Sequence, residues 1–195
     1  MIPPPPTSDH RIAAVRRGLD VALIVVAILY LISIPGQSVH IDEPWFGELA
    51  YRVAHEGVAR SALFTGLAHY EDRVLMAHKL FIYLGALTVV IFGWHVWSLR
   101  ILSIVAGTVL VWVLNRHLRS SATDQSGLTW RLGCLFLLLT PLDFRYINLY
   151  RPEILQAACG FASYHWLTRF LATDRRRDLV IGAVFAGISP LVHLN

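Results

Sequence analysis

The chain has 195 residues, of which 55% are hydrophobic and 15% are charged. Its mean hydropathy of +0.54 is too high for an ordinary soluble domain of this length. Several long apolar runs instead predict a polytopic α-helical membrane protein, because helices satisfy their own backbone hydrogen bonds in lipid. The net charge is +4, but in a membrane protein the positions of Lys and Arg report orientation, so this charge does not indicate nucleic-acid binding.

The N-terminal segment 1–18 contains a run of prolines and is predicted to be disordered and cytoplasmic. Arg11, Arg16 and Arg17 precede the apolar run 19–35. This basic segment is long, and no small-residue cleavage site follows the run, which favours a retained signal anchor over a signal peptide. Residues 19–195 are therefore predicted to belong to one transmembrane domain.

Residues 38–78 are polar with an excess of acids, and we expect them to form a loop on the outer side. The stretch DEPWFGELAYRVAHEG (42–57) predicts a helix that starts near Pro44 and stops at Gly57. Its apolar residues recur at helical spacing, which predicts an amphipathic helix lying on the membrane. The residues expected to face away from the membrane are Glu48, Arg52 and Glu56.

Two adjacent carboxylates, Asp42 and Glu43, precede this helix. One interpretation is that they cap the helix and complement its dipole. The other is that they form an acid pair in which one carboxylate serves as a general base. The residues alone leave both interpretations open.

Further apolar stretches follow at 79–93, 98–115, 132–149 and 153–172, and another begins at 179. The basic segments 115–121 and 169–178 are expected to be cytoplasmic, like the N-terminus. An even number of crossings must then precede residue 116, although three apolar stretches lie before it. Stretch 79–93 is shorter than the roughly 20 residues that a spanning helix needs. It is therefore predicted to be a re-entrant or interfacial helix on the outer side.

This topology places several polar residues near the outer face. Arg151 and Glu153 follow the third predicted crossing, and His193 lies near the end of the last stretch. Arg151 either extends to lipid headgroups or holds a phosphate, which its planar fork suits. His78 and Lys79 either anchor their helix at the interface or contact an anionic headgroup. A lone His193 carries little weight as a metal ligand, and Cys134 and Cys159 lie in apolar stretches without a CxxC pattern.

Motif order and spacing resemble the GT-C glycosyltransferases, closest to their protein-mannosyltransferase and aminoarabinose-transferase-like branch. Those proteins often show D-E-x-x-x-x-E-x-A after a first membrane span, and Asp42, Glu43, Glu48 and Ala50 fit it here. Similar stretches are LFIYLGALTVVIFG, SLRILSIVAGTVLVWVLNRHLR and TPLDFRYINLYRPEILQAACGFASYHWLTRFL. The similarity covers most of residues 19–195, and no single motif is specific.

The resemblance implies an all-α, polytopic transmembrane bundle that takes a sugar from a polyprenyl-phosphate carrier. It implies that Asp42 is the catalytic base, that Glu43 is its neighbour, and that Glu153 lies nearby. Arg151 or Lys79, with His78, is expected to contact the lipid phosphate. The acceptor hydroxyl is expected on the outer face of a bacterial plasma membrane, with inversion at the sugar. No cofactor is required, although a divalent metal is compatible with the site.

Two alternatives to an active enzyme stay open at this point. A transporter or binding protein would need ionisable residues inside its spans, whereas most charges here lie at span ends or in loops. The chain is also expected to be the N-terminal part of a longer enzyme, and this part alone is expected to be inactive.

Overall fold

The computed structural model describes residues 8–33, 36–74, 78–120, 127–140 and 146–193. Within these ranges the secondary structure consists of seven helices and no strands, so the predicted all-α class is confirmed. The helices are α1 (Ser8–Ser33), α2 (Glu43–Glu56), α3 (Lys79–Phe92), α4 (Val96–Ser120), α5 (Thr129–Leu139), α6 (Pro152–Thr173) and α7 (Arg176–Val192).

The helices form a bundle with two distinct ends. At one end, which we call the arginine-rich end, Arg131 Nε lies 2.7 Å from Asp20 Oδ1, joining the start of α5 to the middle of α1. The end of α4 joins α6 at this end through His117 and His165. At the other end, which we call the Asp42 end, lie α2, the start of α6 and the end of α7. The segments predicted to share one side of the membrane therefore gather at the same end of the bundle.

The main apolar core joins α2, α3, α4 and α7 at the Asp42 end. Leu49 and Ala50 of α2 are almost completely buried against it, and the Phe46 ring lies edge-on to Phe81, with centroids 5.7 Å apart. The apolar face of α2 therefore packs on protein. This corrects the expectation that α2 rests on the membrane, since α3 and α4 supply the apolar surface that lipid was expected to supply.

Helix α1 begins earlier than expected. Residues 8–18 were predicted to belong to a disordered segment, but they form the first turns of α1, and residues 1–7 lie outside the described ranges. Ala and Arg are among the strongest helix formers, and Ala13, Ala14, Arg16 and Arg17 fill these turns. The run of prolines before residue 8 led to a prediction of disorder for the whole segment, although residues 8–18 themselves favour a helix.

Helix α5 ends earlier than expected. The stretch 132–149 was predicted as one span, but α5 stops at Leu139 and Thr140 is extended, with φ −64° and ψ 125°. Pro141 follows in the sequence and disfavours helical geometry in the residue before it. A helix of this length measures about 16 Å, shorter than the hydrocarbon core of a bilayer.

Helix α3 starts and finishes beside α2. His78, just before α3, contacts Phe46 with ring centroids 5.4 Å apart, and Trp94, just after it, contacts Tyr51 at 5.0 Å. Both ends of α3 therefore lie at the Asp42 end. This geometry agrees with the prediction that stretch 79–93 does not cross the membrane, and the crossing itself stays a prediction.

Helix α4 is the one helix in the described ranges that is long and apolar enough to cross a membrane by length and composition.

Candidate functional site

Asp42 lies immediately before α2 without capping it. The Asp42 backbone is in the right-handed helical region, and its side chain makes no capping hydrogen bond. The carboxylate is instead 38% exposed and lies 3.2 Å, Oδ2 to Nη2, from Arg151. Pro44, within the first turn, fixes a helical φ without losing a needed N–H donor. The Asp42 side chain is therefore available for another role.

Glu43 has the opposite environment, although it is the next residue. Its side chain is only 3% exposed, and Arg100 of α4 donates to both of its oxygens, from Nε to Oε1 at 2.9 Å and from Nη2 to Oε2 at 2.8 Å. The backbone N–H of Tyr150 donates to Oε1 and that of His40 to Oε2, each at 2.8 Å. Glu43 therefore joins the start of α2 to α4 and to the segment before α6.

The charge of Glu43 is strongly supported in this position. Burial alone would raise the pKa of Glu43, but the hydrogen bonds from Arg100, Tyr150 and His40 outweigh burial and lower the pKa. The Arg100 guanidinium also donates to the carbonyl oxygens of Gln37 and Ser38, each at 3.3 Å. Glu43 was predicted to share the catalytic site with Asp42; both of its oxygens are engaged by hydrogen bonds, and a catalytic role for it stays a prediction.

Arg151 and Glu153 complete the Asp42 side of the site. Arg151 Nη2 lies 2.6 Å from Glu153 Oε1, and its Nε donates to Glu153 Oε2 at 3.2 Å. The guanidinium also lies 5.2 Å from the centre of the Tyr146 ring. Glu153 thus holds Arg151 in a forked geometry, with one edge of the guanidinium towards Asp42.

His78 and His193 meet on the neighbouring face. Their Nδ1 atoms are 3.0 Å apart and their ring centroids 4.6 Å apart, which joins the start of α3 to the end of α7. Burial lowers the pKa of His78, and the nearby His193 lowers it further, whereas the charge of Glu153 acts in the opposite direction. The predicted residues Asp42, Arg151, Glu153, His78 and His193 therefore form one contiguous group.

Lys79 lies at the edge of this group. Its side chain is exposed, and no acid lies within 4 Å of it in the part of the chain that the structure describes. An exposed ammonium without an acid partner can receive an anion without first breaking an ion pair. Lys79 therefore fits the predicted contact with a phosphate better than Arg151, whose fork is already engaged by Glu153.

The described ranges contain no group of three or more His, Cys, Asp or Glu side chains arranged to hold a metal ion. Asp42 has a guanidinium as its nearest charged neighbour, which is an unfavourable setting for a cation. Both cysteines are free and buried, in agreement with their interpretation as small core residues. A divalent metal at the site stays a prediction from the sequence alone.

The loop that follows α2 is fixed to this helix by Glu48. Ser61 Oγ and the Ala62 N–H each donate to Glu48 at 2.7 Å, and the Leu63 N–H donates at 3.3 Å. Glu48 also forms an ion pair with Arg52, one helical turn further on, at 3.7 Å. Burial would raise the pKa of Glu48, and these hydrogen bonds lower it overall. Glu48, the third acid of the motif, therefore ties residues 61–63 to α2.

Sequence reasoning missed Arg100 and the backbone of Tyr150. A signal for Arg100 existed, because an arginine inside the apolar stretch 98–115 is costly unless it is paired. The contribution of Tyr150 is a backbone N–H, which no side-chain pattern could have revealed.

Comparison with known proteins gives one result. The sequence model of a family described as dolichyl-phosphate-mannose-protein mannosyltransferase matches residues 79–194, which is more than half of the chain. The matched segment includes Lys79, Arg100, Arg151, Glu153 and His193, whereas Asp42 and Glu43 precede it. No curated protein and no solved structure matches the chain.

Proposed function

Because this chain belongs to the dolichyl-phosphate-mannose-protein mannosyltransferase family, we propose that it transfers a sugar from a polyprenyl-phosphate carrier to an acceptor hydroxyl. The family membership makes it a membrane-embedded glycosyltransferase. The choice of sugar and acceptor, the outer-face location and the residue roles are parts of the proposal.

The observation that supports the proposal most strongly is that two adjacent acids, Asp42 and Glu43, have different environments. Glu43 is buried with hydrogen bonds to both oxygens, so its charge holds the site together. Asp42 is partly exposed, does not cap its helix and faces Arg151. A rigidly supported and accessible carboxylate is what a general base requires.

In the proposed reaction, Asp42 takes the proton from the acceptor hydroxyl. The acceptor oxygen forms a bond to the anomeric carbon from the face opposite the phosphate. The bond between that carbon and the phosphate oxygen breaks, and its electron pair leaves with the lipid phosphate. The anomeric configuration is therefore inverted.

The leaving group needs charge stabilisation more than a proton, because a phosphate ester is already a good leaving group. Lys79 supplies an exposed positive charge next to the group formed by His78 and His193. Arg151, held by Glu153, supplies a second positive charge that also faces Asp42. Preorganised cations of this kind stabilise developing negative charge without reorganising during the reaction.

The test is a transfer assay with the full-length protein in membranes. Polyprenyl phosphate carrying radiolabelled mannose serves as donor, and membranes lacking the protein serve as control. We expect label in a product released from the carrier, with an anomeric configuration opposite to that of the donor. Donor bound without release of labelled product would favour a binding protein, and retained configuration would exclude the single-displacement mechanism.

A further inference from the structure

A polar cavity lies at the arginine-rich end, between α4 and α6. It has a volume of about 800 Å³, and its walls include Arg116, Arg119, Arg169, His165, Thr168 and Thr173. Arg100 at the Asp42 end and His117 at this end are separated by about 25 Å along α4. The cavity is therefore distinct from the site around Asp42.

The cavity wall carries a surplus of positive charge. In the described ranges, no acid lies within 4 Å of Arg116 or Arg119, while Arg169 Nε is 3.5 Å from Asp178 Oδ2. The two unpaired guanidiniums rest near tryptophan rings, Arg116 at 5.7 Å from Trp112 and Arg119 at 4.1 Å from Trp130. These contacts hold the guanidiniums beside the cavity and leave their hydrogen-bond donors available.

A buried histidine adds a second, independent observation. His165 lines the cavity, is fully buried and lies 3.3 Å, Nδ1 to Nδ1, from His117. Its Nε2 atom is buried without a hydrogen-bond partner among the described residues. When His117 donates to His165 Nδ1, the proton of His165 is on Nε2, and a buried donor without an acceptor is costly.

We propose that this cavity binds a phosphate group. Arginine forks match the oxygens of a phosphate in pairs, and Arg116 and Arg119 place two such forks at the cavity wall. A tetrahedral dianion accepts from several donors at once, which a cluster of guanidinium and imidazole groups offers. The proposal is independent of the sugar-transfer reaction, because it concerns binding at the opposite end of the bundle.

The neighbouring groove indicates one source of such a phosphate. An apolar groove of about 540 Å³ runs between α1, α4 and α5, and it shares Trp112 and Asn115 with the polar cavity. A lipid could place its phosphate in the cavity and its chain in the groove. A soluble phosphate compound would use the cavity alone, and the two sources can be separated by experiment.

The alternative is that these arginines only set the orientation of the chain in the membrane, as clusters of basic residues commonly do. The chain offers a matched control for this alternative. Arg176 and Arg177 lie at the same end, are exposed and do not line the cavity. The variant R176Q/R177Q therefore removes the same charge as R116Q/R119Q without touching the proposed site.

The experiment measures binding to the full-length protein in detergent by thermal stabilisation and native mass spectrometry. The probes are inorganic phosphate, compared with chloride at equal ionic strength, and phosphatidic acid, compared with phosphatidylcholine. We expect stabilisation by one of the phosphate-bearing probes, weakened at least about tenfold in apparent affinity in R116Q/R119Q and kept in R176Q/R177Q. Binding of inorganic phosphate identifies a soluble ligand, and binding of phosphatidic acid alone identifies a lipid.

Two results would overturn the proposal. One is that neither phosphate-bearing probe binds the folded wild-type protein. The other is that R176Q/R177Q loses as much binding as R116Q/R119Q, because binding would then follow the charge of the surface and not the cavity. A third variant, His165→Gln, is also expected to weaken binding. His165 is buried, so this variant could lose binding by misfolding; R116Q/R119Q changes exposed residues and therefore tests the cavity without that risk.

Discussion

At the scale of single residues, the pair Asp42 and Glu43 shows how neighbouring carboxylates acquire different tasks. Glu43 is surrounded by donors from α4 and from the segment before α6, whereas Asp42 is partly exposed and meets the Arg151 guanidinium and the His40 ring. The family resemblance assigned the base to Asp42 and made Glu43 its neighbour, but it did not predict the buried ion pair that Glu43 forms. That ion pair depends on Arg100, which lies 57 residues further along the chain.

Glu43→Gln is expected to destabilise the protein strongly. It removes the carboxylate that faces the buried Arg100 guanidinium, and breaking a buried ion pair in this way costs about 3–5 kcal/mol. Asp42→Asn, at a partly exposed position, is expected to change the unfolding temperature little. Thermal unfolding of both variants in the same detergent tests the contrast, and an equal effect of the two substitutions would refute the supporting role of Glu43.

The stability of the wild-type protein should also depend on pH through Glu43. Its pKa is lower in the folded protein than the ordinary value of 4.5. The resulting stabilisation is complete above that ordinary value and is lost as the pH falls through the folded pKa. When the unfolding temperature of the wild type is measured from pH 7 downwards, it should therefore begin to decrease once the pH is below about 4.5. A wild-type curve that runs parallel to that of Glu43→Gln would contradict this account.

At the scale of helices, the position of the site depends on close packing between α3 and Tyr150. Tyr150 is fully buried and stacks on Phe81, with ring centroids 4.4 Å apart, while its backbone N–H supports Glu43. Gly85 of α3 makes this packing feasible, since a Cβ atom there would overlap the Tyr150 hydroxyl oxygen. A change in one helix can therefore move the support of Asp42, the proposed base.

Gly85→Ala is expected to lower both stability and transfer activity. Overpacking of a buried contact typically costs about 1–3 kcal/mol, and displacement of Tyr150 would weaken the hydrogen bond to Glu43. Gly160→Ala in α6 is the matched control, because nothing lies within 4 Å of its Cβ position. Removing this helical glycine should be neutral or stabilising. Thermal unfolding and the transfer assay, applied to both variants, would refute the packing argument if Gly85→Ala behaved like its control.

A comparison of predicted and observed helix ends shows which local sequence signals were sufficient to predict where a helix stops. Gly57 ends α2 with φ 73°, a conformation that glycine adopts readily, so this boundary followed directly from the sequence. The short length of α3 was also predictable. The end of α5 was not, because a long apolar run dominated the prediction and concealed the effect of Pro141 on Thr140.

At the scale of the whole molecule, the distribution of basic residues predicted which segments share an end of the bundle. Charge placement requires no knowledge of packing, so it could be read from the sequence. The hydrogen-bond network around Glu43 could not be predicted from the sequence, because it depends on how α4 is aligned against α2. The grouping of Arg151, Glu153 and His193 near Asp42 followed from the predicted crossings, and the contacts between their side chains came only from the structure.

The topology itself can be tested by cysteine labelling in intact cells. The exposed positions Leu67 and Arg176 are changed to Cys in separate variants, and the native cysteines are buried. An impermeant thiol reagent should label Leu67→Cys only, because residues 38–78, 150–153 and 193–195 are predicted to face outside. Labelling of Arg176→Cys in intact cells, with Leu67→Cys protected, would show that the orientation is the opposite of the predicted one.

The most direct test of the account is the rate of sugar transfer by Asp42→Asn in membranes with matched amounts of protein. Asparagine keeps the shape of the side chain and caps helices about as well as aspartate, so α2 should form normally. Loss of a general base is expected to lower transfer by a factor of about one hundred or more. Asp72→Asn, the same change at an exposed position of the same loop, should transfer at the wild-type rate. Near-normal transfer by Asp42→Asn would contradict the assignment of Asp42 as the catalytic base.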